Sequence, residues 1–501
     1  MLLSLDVFNK YVAKLREGLR EEKAEYIYRI HLKNLFDRIK PDNSTIVQYK
    51  PKRSKEAFGP PDYLIKKNGS IVGYIEVEEF GQDLYQILVS PKIKKYKKLS
   101  KNILLTNYIE FIWIKGGVVT LKESLINRKD LEKGKIEFDK TKLNKVVGIL
   151  DNFFLFFDEK IKSIGGLTNL LAIKTRILKE LIEENLKLNL DKENSGDIKL
   201  KFKKPNILTI TYDTLIKTIY REDFGISEFS DSIAQTIAYG LFIARLNNKS
   251  SIDIDFFNIK DFIPDNFSLI QMILKLIQNI SKEDEFFTVK WILEELVDTV
   301  NNIDGESLFK KLSFDKLGDT SKDPYLYFYE DFLAKYDASL RKLKGVYYTP
   351  EPVISYIVKS LQEILEKKFE LNGGFANRNE VKVLDFATGT GTFLLEVIKT
   401  ILGKIPKESG KQKEYIDKHI LENLYGFEYL MAPYVVSHLK LYQYLKDTCN
   451  FDFSSKDKRL KIFLTNTIGK KEITEQKYIN TIFYEDLFSL ISKENELVNA
   501  V

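Results

Sequence analysis

The spacing of hydrophobic residues divides the chain into three regions. Residues 1–130 begin with two stretches of helical spacing and continue with short runs typical of strands, such as IVGYIEVE at 71–78. Residues 131–320 keep a helical spacing, as in SDSIAQTIAYGLFIARL. Residues 321–501 return to strand–turn–helix units, which are typical of a parallel α/β sheet. We therefore predict an α/β domain, a helical connector and a second α/β domain.

Two short segments of the first region carry stronger local signals. Asn68-Gly69 separates two strand-like runs and predicts a β-hairpin, because a type I′ turn needs positive φ at both central residues. The segment SPKIKKYKKLSKN at 90–102 places six lysines around Tyr96. It predicts a basic helix whose lysines form either a solvated face or a phosphate-contacting one, since basic runs serve both roles.

Composition narrows the class of protein. At 501 residues the chain is too long for one core, and its 44% hydrophobic and 30% charged residues are near globular averages. No window approaches the ~18 uninterrupted apolar residues of a membrane span, and the N-terminus lacks the apolar block of a signal peptide. We therefore expect a cytoplasmic protein without a membrane partner. A single cysteine, Cys449, and three histidines leave carboxylates as the expected ligands of any metal.

A glycine turn in the third region has the form of a ligand-binding loop. In VLDFATGTG a buried strand is expected to end at Asp385, and Gly389 and Gly391 allow the backbone to turn tightly before a helix begins. The carboxyl ends of parallel strands are where such folds bind ligands. Taken alone, the turn is also compatible with a plain strand–helix connection.

Three further residues predict what the turn binds. Thr349 precedes Pro350, and this pair predicts a helix N-terminus with free amides for a carboxylate. Glu428 ends a second predicted strand, where its carboxylate can accept both hydroxyls of a ribose. Asn466 follows a third strand, where its amide suits the edge of a purine. A carboxylate, a ribose and an adenine are parts of S-adenosylmethionine, which we expect to be the cofactor.

Acidic side chains in the first region predict a metal site. Asp62 stands at the start of one strand, and Glu76 and Glu78 lie on one face of the next, because side chains two apart in a strand point the same way. Converging carboxylates of this kind can hold Mg²⁺, which activates water against a phosphodiester. The open alternative is an ordinary exposed strand face with alternating acids.

Taken together, the motifs resemble a known family. The segments YFYEDFLAKYDASLRKLKGVYYTPEPVISYIV, VLDFATGTGTFLLEVI, GFEYLMAPYVVSHLKL and FLTNTI, with SIAQTIAYGLFIARL upstream, are similar to the adenine-N6 DNA methyltransferase module of type ISP and type IIG restriction-modification enzymes. The resemblance implies a partial Rossmann-like fold over 321–501 that binds S-adenosylmethionine and modifies adenine in double-stranded DNA. It also implies a cofactor pocket lined by Thr349, Asp385, Gly389, Gly391, Glu428 and Asn466.

The acidic segment GPPDYLIKKNGSIVGYIEVEEFG resembles the PD-(D/E)xK nuclease core. The resemblance implies a Mg²⁺-dependent endonuclease domain over 1–130, with Asp62, Glu76 and Glu78 as catalytic residues. The segment AEYIYR fits the helix that often adds an acidic residue, so Glu25 is implied as a metal ligand beside Asp62 and Glu76. The segment departs from the nuclease pattern at the last position of that pattern, where Glu78 stands in place of the usual lysine.

Two functional hypotheses follow for the whole chain. The first is a site-specific adenine DNA methyltransferase of a restriction-modification system, fused to an endonuclease. The family grips its target base with Asn-Pro-Pro-Tyr, and this tetrapeptide does not occur in the 501 residues. The alternative is therefore a truncated, catalytically incomplete fragment that binds DNA and cofactor and needs a downstream polypeptide. A methyltransferase of small molecules or proteins is disfavoured, because such enzymes have little need of a nuclease domain.

Overall fold

The computed structural model divides into two compact units, residues 1–160 and residues 161–501. Each unit has its own β-sheet. The residues that the structure describes are 5–20, 25–49, 59–133, 139–191, 200–220, 224–248, 252–264, 267–309, 312, 323–337, 349–406, 410–453 and 458–465.

The first unit is built on a six-stranded sheet with helices against it. Its strands are β1 (Ser44–Gln48), β2 (Tyr63–Lys67), β3 (Ser70–Val77), β4 (Asn102–Thr106), β5 (Glu110–Lys115) and β6 (Val118–Ser124). Its helices are α1 (Leu5–Arg20), α2 (Glu25–Ile39), α3 (Leu84–Leu88), α4 (Pro91–Leu99), α5 (Arg128–Lys133) and α6 (Lys140–Phe154). The strands lie in chain order across the sheet, and β3 and β4 are the parallel pair in an otherwise antiparallel arrangement.

Most elements of the first unit follow the sequence pattern. The predicted hairpin joins β2 and β3, and Asn68 and Gly69 both have positive φ, at 51° and 88°. The basic segment forms α4 as a helix separate from α3, because the Ser90 hydroxyl caps it and Pro91 starts it. The pattern did not predict β6, whose first five residues are exposed and therefore lack alternation.

The two faces of β3 contact different parts of the first unit. Ile75 and Val77 lie in one buried cluster with side chains of α1, α2 and α6. Tyr74 and Glu76 point to the opposite face, because side chains alternate along a strand. On that face the rings of Tyr74 and Tyr96 of α4 are 5.5 Å apart. Helix α6 belongs to the buried cluster, and the first compact unit covers residues 1–160.

The second unit begins with helices. These are α7 (Ile164–Leu188), α8 (Ile207–Leu215), α9 (Ile226–Asn247), α10 (Ser268–Lys282), α11 (Phe287–Asn301), α12 (Gly305–Phe309) and α13 (Pro324–Tyr336). The helical spacing predicted for this region is confirmed, and α9 is buried over 229–244 where it packs against α7, α10 and α11. Within the described ranges, no helix combines the length and the apolar character that crossing a membrane requires.

A three-stranded parallel sheet follows these helices. Its strands are β7 (Val383–Asp385), β8 (Leu424–Glu428) and β9 (Lys461–Leu464), with β8 in the middle. The accompanying helices are α14 (Glu351–Lys367), α15 (Thr392–Gly403), α16 (Lys411–Tyr415), α17 (Leu421–Asn423) and α18 (Met431–Cys449). The predicted strand ends at Asp385 and Glu428 are confirmed. Because the strands are parallel, their carboxyl ends meet at one edge of the sheet.

Candidate functional site

The glycine turn joins β7 to α15 at the carboxyl edge of the sheet. Gly389 and Gly391 have φ values of 55° and 75°, in the left-handed region that side chains disfavour. A Cβ on Gly391 would also lie 3.1 Å from the Cβ of Ser437 on α18. The backbone conformation therefore favours glycine at both positions, as the sequence pattern indicates.

The Glu428 carboxylate joins the turn to the end of β8. Its Oε2 accepts the Gly389 amide at 2.7 Å, and its Oε1 accepts the Leu430 amide at 2.7 Å. Glu428 is 9% exposed, and burial raises its pKa while the hydrogen bonds from backbone amides lower it. A carboxylate has about four acceptor positions, so Glu428 keeps the capacity to accept hydroxyls of a ligand.

Asp385 ends β7 at the same edge of the sheet. Its Oδ1 accepts the Ala387 amide at 3.2 Å, whereas its Oδ2 is buried and has no hydrogen-bond partner within the described residues. Burial raises the pKa of Asp385. Buried polar atoms are nearly always hydrogen-bonded, so this oxygen suits a donor group of a bound molecule.

The two other residues predicted to line the cofactor pocket with their side chains are Thr349 and Asn466. The helix after Thr349 begins at Glu351, and Pro350 occupies its N-cap position without a side-chain cap. Thr349 therefore does not cap this helix, because Pro352 and not Pro350 lies in the first turn. Its contact with a cofactor stays a prediction. Asn466 lies outside the described residues, two positions after the end of β9.

Side chains pack closely against Gly426 behind the glycine turn. A methyl group added at this position should therefore destabilise the protein. A Cβ on Gly426 of β8 would lie 2.6 Å from Thr388 Oγ1 and 3.1 Å from Leu394 Cδ1. We expect Gly426→Ala to lower the free energy of unfolding by about 1–3 kcal/mol, because overpacking displaces the turn. Gly403→Ala is the control, since nothing lies within 4 Å of its Cβ position. Urea unfolding compares the variants, and equal stability of Gly426→Ala and wild type would contradict the packing.

The predicted acidic site of the first unit lies at the end of β3. Asp62 directly precedes β2, and its Oδ2 accepts the Val77 amide at 2.8 Å. Its Oδ1 accepts from the guanidinium of Arg29 on α2 at 2.5 Å. The side chains of Asp62 and Arg29 are 11% and 14% exposed. Both oxygens of Asp62 are thus occupied, and its charge is balanced within the unit.

Glu76 is the second acidic residue of this site. It is 1% exposed, on the face of β3 that α4 covers. Its Oε1 accepts from the ammonium of Lys92 on α4, whereas its Oε2 is buried with no hydrogen-bond partner in the described part of the chain. A buried carboxylate oxygen without a donor carries an unfavourable desolvation free energy. Oε2 of Glu76 therefore suits a cation or a donor that binds from outside.

The described residues do not form the predicted group of three carboxylates. In the part of the chain that the structure describes, no three His, Cys, Asp or Glu side chains are placed to hold a metal ion together. Asp62 and Glu76 each pair with a basic side chain instead of sharing an ion. Glu78 is half-buried at the end of β3. Glu25 begins α2, and its side chain is outside the described part of the structure.

Two basic residues of this site have no strong signal in the sequence. Arg29 lies 33 residues before Asp62, and Lys92 lies 16 residues after Glu76. Within the basic segment, Lys92 is the lysine that lies four residues before the buried Tyr96. That spacing places both side chains on one side of α4, and the Lys92 Nζ is 5.8 Å from the Tyr96 ring centre.

The region that contains the glycine turn matches one protein-family model. Residues 320–498 match the family described as N-6 DNA Methylase. That segment is similar to the N-6 DNA Methylase family. We refer to residues 320–498 as the methylase module, which includes Asp385 and Glu428. A comparison with curated proteins finds no match.

Solved restriction-modification enzymes are similar to the chain at low identity. DrdV in a cryo-electron microscopy DrdV–DNA complex is 19% identical with a TM-score of 0.40, over 93% of this chain and 40% of that one. A nuclease-deletion mutant of the Type ISP restriction-modification enzyme LlaGI, in complex with a DNA substrate mimic, is 16% identical with a TM-score of 0.43, over 71% and 25%. The type IIG restriction endonuclease BpuSI is 12% identical with a TM-score of 0.25, over 92% and 42%. The chain thus spans less than half the length of each.

Proposed function

We propose that the methylase module binds S-adenosylmethionine and transfers its methyl group to N6 of adenine in double-stranded DNA, as part of a restriction-modification enzyme. The observation that carries this proposal is the meeting of two strand ends at one glycine turn, where Asp385 and Glu428 offer acceptor oxygens. Ligands of parallel α/β sheets bind at this edge. The family match of residues 320–498 supports the choice of reaction.

The residues of the turn have separate roles in holding the cofactor. Glu428 accepts the hydroxyls of the ribose, since one carboxylate accepts from two donors. Asp385 accepts from a donor group of the cofactor through its buried Oδ2. Gly389 leaves the backbone open to close approach. Thr349 and Asn466 stay predicted contacts of the carboxylate and the adenine. When bound, S-adenosylmethionine supplies a methyl group on a sulfonium centre, which the adenine nitrogen accepts.

Calorimetric titration with S-adenosylmethionine tests the pocket. We expect the chain to bind with a micromolar or weaker Kd, about −8 kcal/mol at most. The double variant Asp385→Ala, Glu428→Ala should give no measurable heat of binding, because both acceptor groups are gone. Glu363→Ala, on an exposed position of α14, is the control and should bind as wild type does. Equal heats for wild type and the double variant would reject the assignment.

A second proposed activity is Mg²⁺-dependent cleavage of DNA by the first unit. It is supported by Asp62, which accepts the amide of Val77 next to Glu76, and by the buried oxygen of Glu76 that has no hydrogen-bond partner within the described residues. Mg²⁺ prefers carboxylate oxygens and activates water against a phosphodiester. Asp62 and Glu76 would hold the ion, and Glu25 and Glu78 stay predicted further ligands. Loss of nicking in a Glu76→Gln variant tests this activity.

The partners of the chain follow from these two activities. Double-stranded DNA is the proposed substrate of both, and the lysine-rich helix α4 supports it, because lysines neutralise phosphates. A downstream polypeptide that completes the methylase module and a cytoplasmic location stay predictions from the sequence.

A further inference from the structure

Helix α8 continues into a wider turn whose last residue is Tyr220. The α-helix ends at Leu215, and a π-helical turn follows it over Ile216–Tyr220. Such turns are rare and occur frequently at functional sites. Tyr220 is 3% exposed, and its ring stacks on that of Phe224 with 3.9 Å between the ring centres. The phenol ring of Tyr220 is therefore held in one position within the helical part of the second unit.

Tyr220 contacts the methylase module beside Glu428. Its hydroxyl donates to the Tyr429 carbonyl at 3.0 Å, across 209 residues of sequence. The two tyrosine rings also meet edge to face, with 5.1 Å between their centres and 80° between their planes. Tyr429 directly follows Glu428, the last residue of β8. Since Tyr220 lies outside the segment that matches the family model, a residue of the helical part reaches the edge of the sheet where the glycine turn lies.

One peptide group joins Tyr220 to the Glu428 carboxylate. The carbonyl of Tyr429 and the amide of Leu430 belong to the same planar peptide group, and in a trans peptide they point in opposite directions. The carbonyl accepts from Tyr220, whereas the amide donates to Glu428 Oε1 at 2.7 Å. A rotation of this peptide group would weaken both hydrogen bonds. The Tyr220 hydroxyl therefore fixes the direction of the amide that holds Oε1 of Glu428.

The orientation and charge of Glu428 both depend on such amides. Its other oxygen, Oε2, accepts the Gly389 amide at 2.7 Å. Burial raises the pKa of Glu428, and the hydrogen bonds from the amides of Leu430 and Gly389 lower it. A carboxylate that accepts two ribose hydroxyls must keep one orientation, because misaligned hydrogen bonds weaken steeply. Support from surrounding groups preorganises such a side chain before its ligand binds.

We propose that Tyr220 is a positioning residue of the cofactor site, which holds the peptide group between Tyr429 and Leu430 and thereby orients Glu428 for the ribose hydroxyls of S-adenosylmethionine. This inference rests on the proposed cofactor binding of the methylase module. Tyr220 acts through the peptide group and not by contact with the cofactor. The helical part of the second unit thus takes part in cofactor binding.

The test compares two buried tyrosines in the full 501-residue chain. Tyr220→Phe removes the hydroxyl that holds the Tyr429 carbonyl and keeps the ring. Tyr212→Phe is the matched control, because Tyr212 is also 3% exposed and its hydroxyl donates to a different carbonyl, that of Phe224, at 3.0 Å. Calorimetric titration with S-adenosylmethionine measures binding. We expect Tyr220→Phe to bind at least about threefold more weakly than wild type, and Tyr212→Phe to bind as wild type does.

Three further measurements separate a positioning role from a loss of stability. Without cofactor, mass spectrometry should show at least about threefold faster hydrogen exchange of the Leu430 amide in Tyr220→Phe alone. The pH below which S-adenosylmethionine binding is lost should rise in the same variant, because a weaker amide hydrogen bond raises the pKa of Glu428. Asp385, whose charge acts on Glu428, is the same in every variant. The urea midpoint should fall by similar amounts in both variants, since each loses one buried hydroxyl.

Each outcome decides between the role of Tyr220 and the cofactor function. Wild-type affinity and unchanged Leu430 exchange in Tyr220→Phe would overturn the role, while the double variant Asp385→Ala, Glu428→Ala still abolished binding. Equal weakening of binding by Tyr212→Phe would also overturn it, because the loss would then follow from destabilised helices. Absence of binding heat in wild type would overturn the cofactor function, and the role of Tyr220 with it.

Discussion

Replacing Lys440 with methionine should lower the free energy of unfolding by about 3–5 kcal/mol, because removal of one partner leaves a buried charge unpaired. Lys440 of α18 donates to Asp323 at 2.7 Å, and the two side chains are 0% and 2% exposed. Its ammonium also donates to the Thr392 hydroxyl at 2.9 Å, at the start of α15. Without Lys440, Asp323 keeps the amides of α13 that it caps and loses the ion pair that the described residues give it.

Two further variants show whether the charge is the cause. Asp323→Asn added to Lys440→Met should recover at least about 1 kcal/mol, because asparagine still caps α13 and carries no charge. Lys367→Met breaks an exposed pair with Glu363 and should cost no more than about 1 kcal/mol. Urea unfolding followed by circular dichroism measures all three. A loss for Lys440→Met as small as that for Lys367→Met would show that the pair is not an important part of the second unit.

Local sequence signals were sufficient to predict the elements around the glycine turn. Asp385 and Glu428 each end a short apolar run, and a parallel strand must place its last residue at the carboxyl edge. The Asn68-Gly69 pair predicted the β-hairpin in the same way, because few residue types tolerate positive φ. In these cases the chemistry that determines the conformation lies within a few residues of the position itself.

Contacts between distant residues could not be predicted from the same sequence. Arg29 pairs with Asp62 across 33 residues, and Lys440 pairs with Asp323 across 117 residues. Each contact depends on the packing of whole elements, and no local spacing indicates which of 78 basic residues will meet which acid. The expected group of three carboxylates, which the described residues do not form, illustrates the same limit. The sequence indicated which acids share a strand face, but not that basic side chains from α2 and α4 would pair with two residues of that group.

Replacing Glu76 with glutamine should reduce Mg²⁺-dependent nicking of supercoiled DNA about a thousandfold, which corresponds to ~4 kcal/mol of transition-state stabilisation. Glu76 offers the one buried carboxylate oxygen of this site that lacks a donor within the described residues, and glutamine cannot replace its charge. Asp62→Asn should act in the same direction but also weaken the pair with Arg29. The chain should stay folded in Glu76→Gln, since Lys92, released from its partner, is exposed enough to be hydrated.

Glu79→Gln provides the control, because Glu79 is exposed and only three residues further along the chain. It should nick DNA as wild type does, so a loss confined to Glu76→Gln and Asp62→Asn assigns the activity to this end of β3. Circular dichroism confirms that each variant is folded, and omission of Mg²⁺ from the wild-type reaction should give the same low rate as Glu76→Gln. Nicking that continues at the wild-type rate in Glu76→Gln, or that does not require the metal, would mean that these carboxylates serve the stability of the first unit and not cleavage.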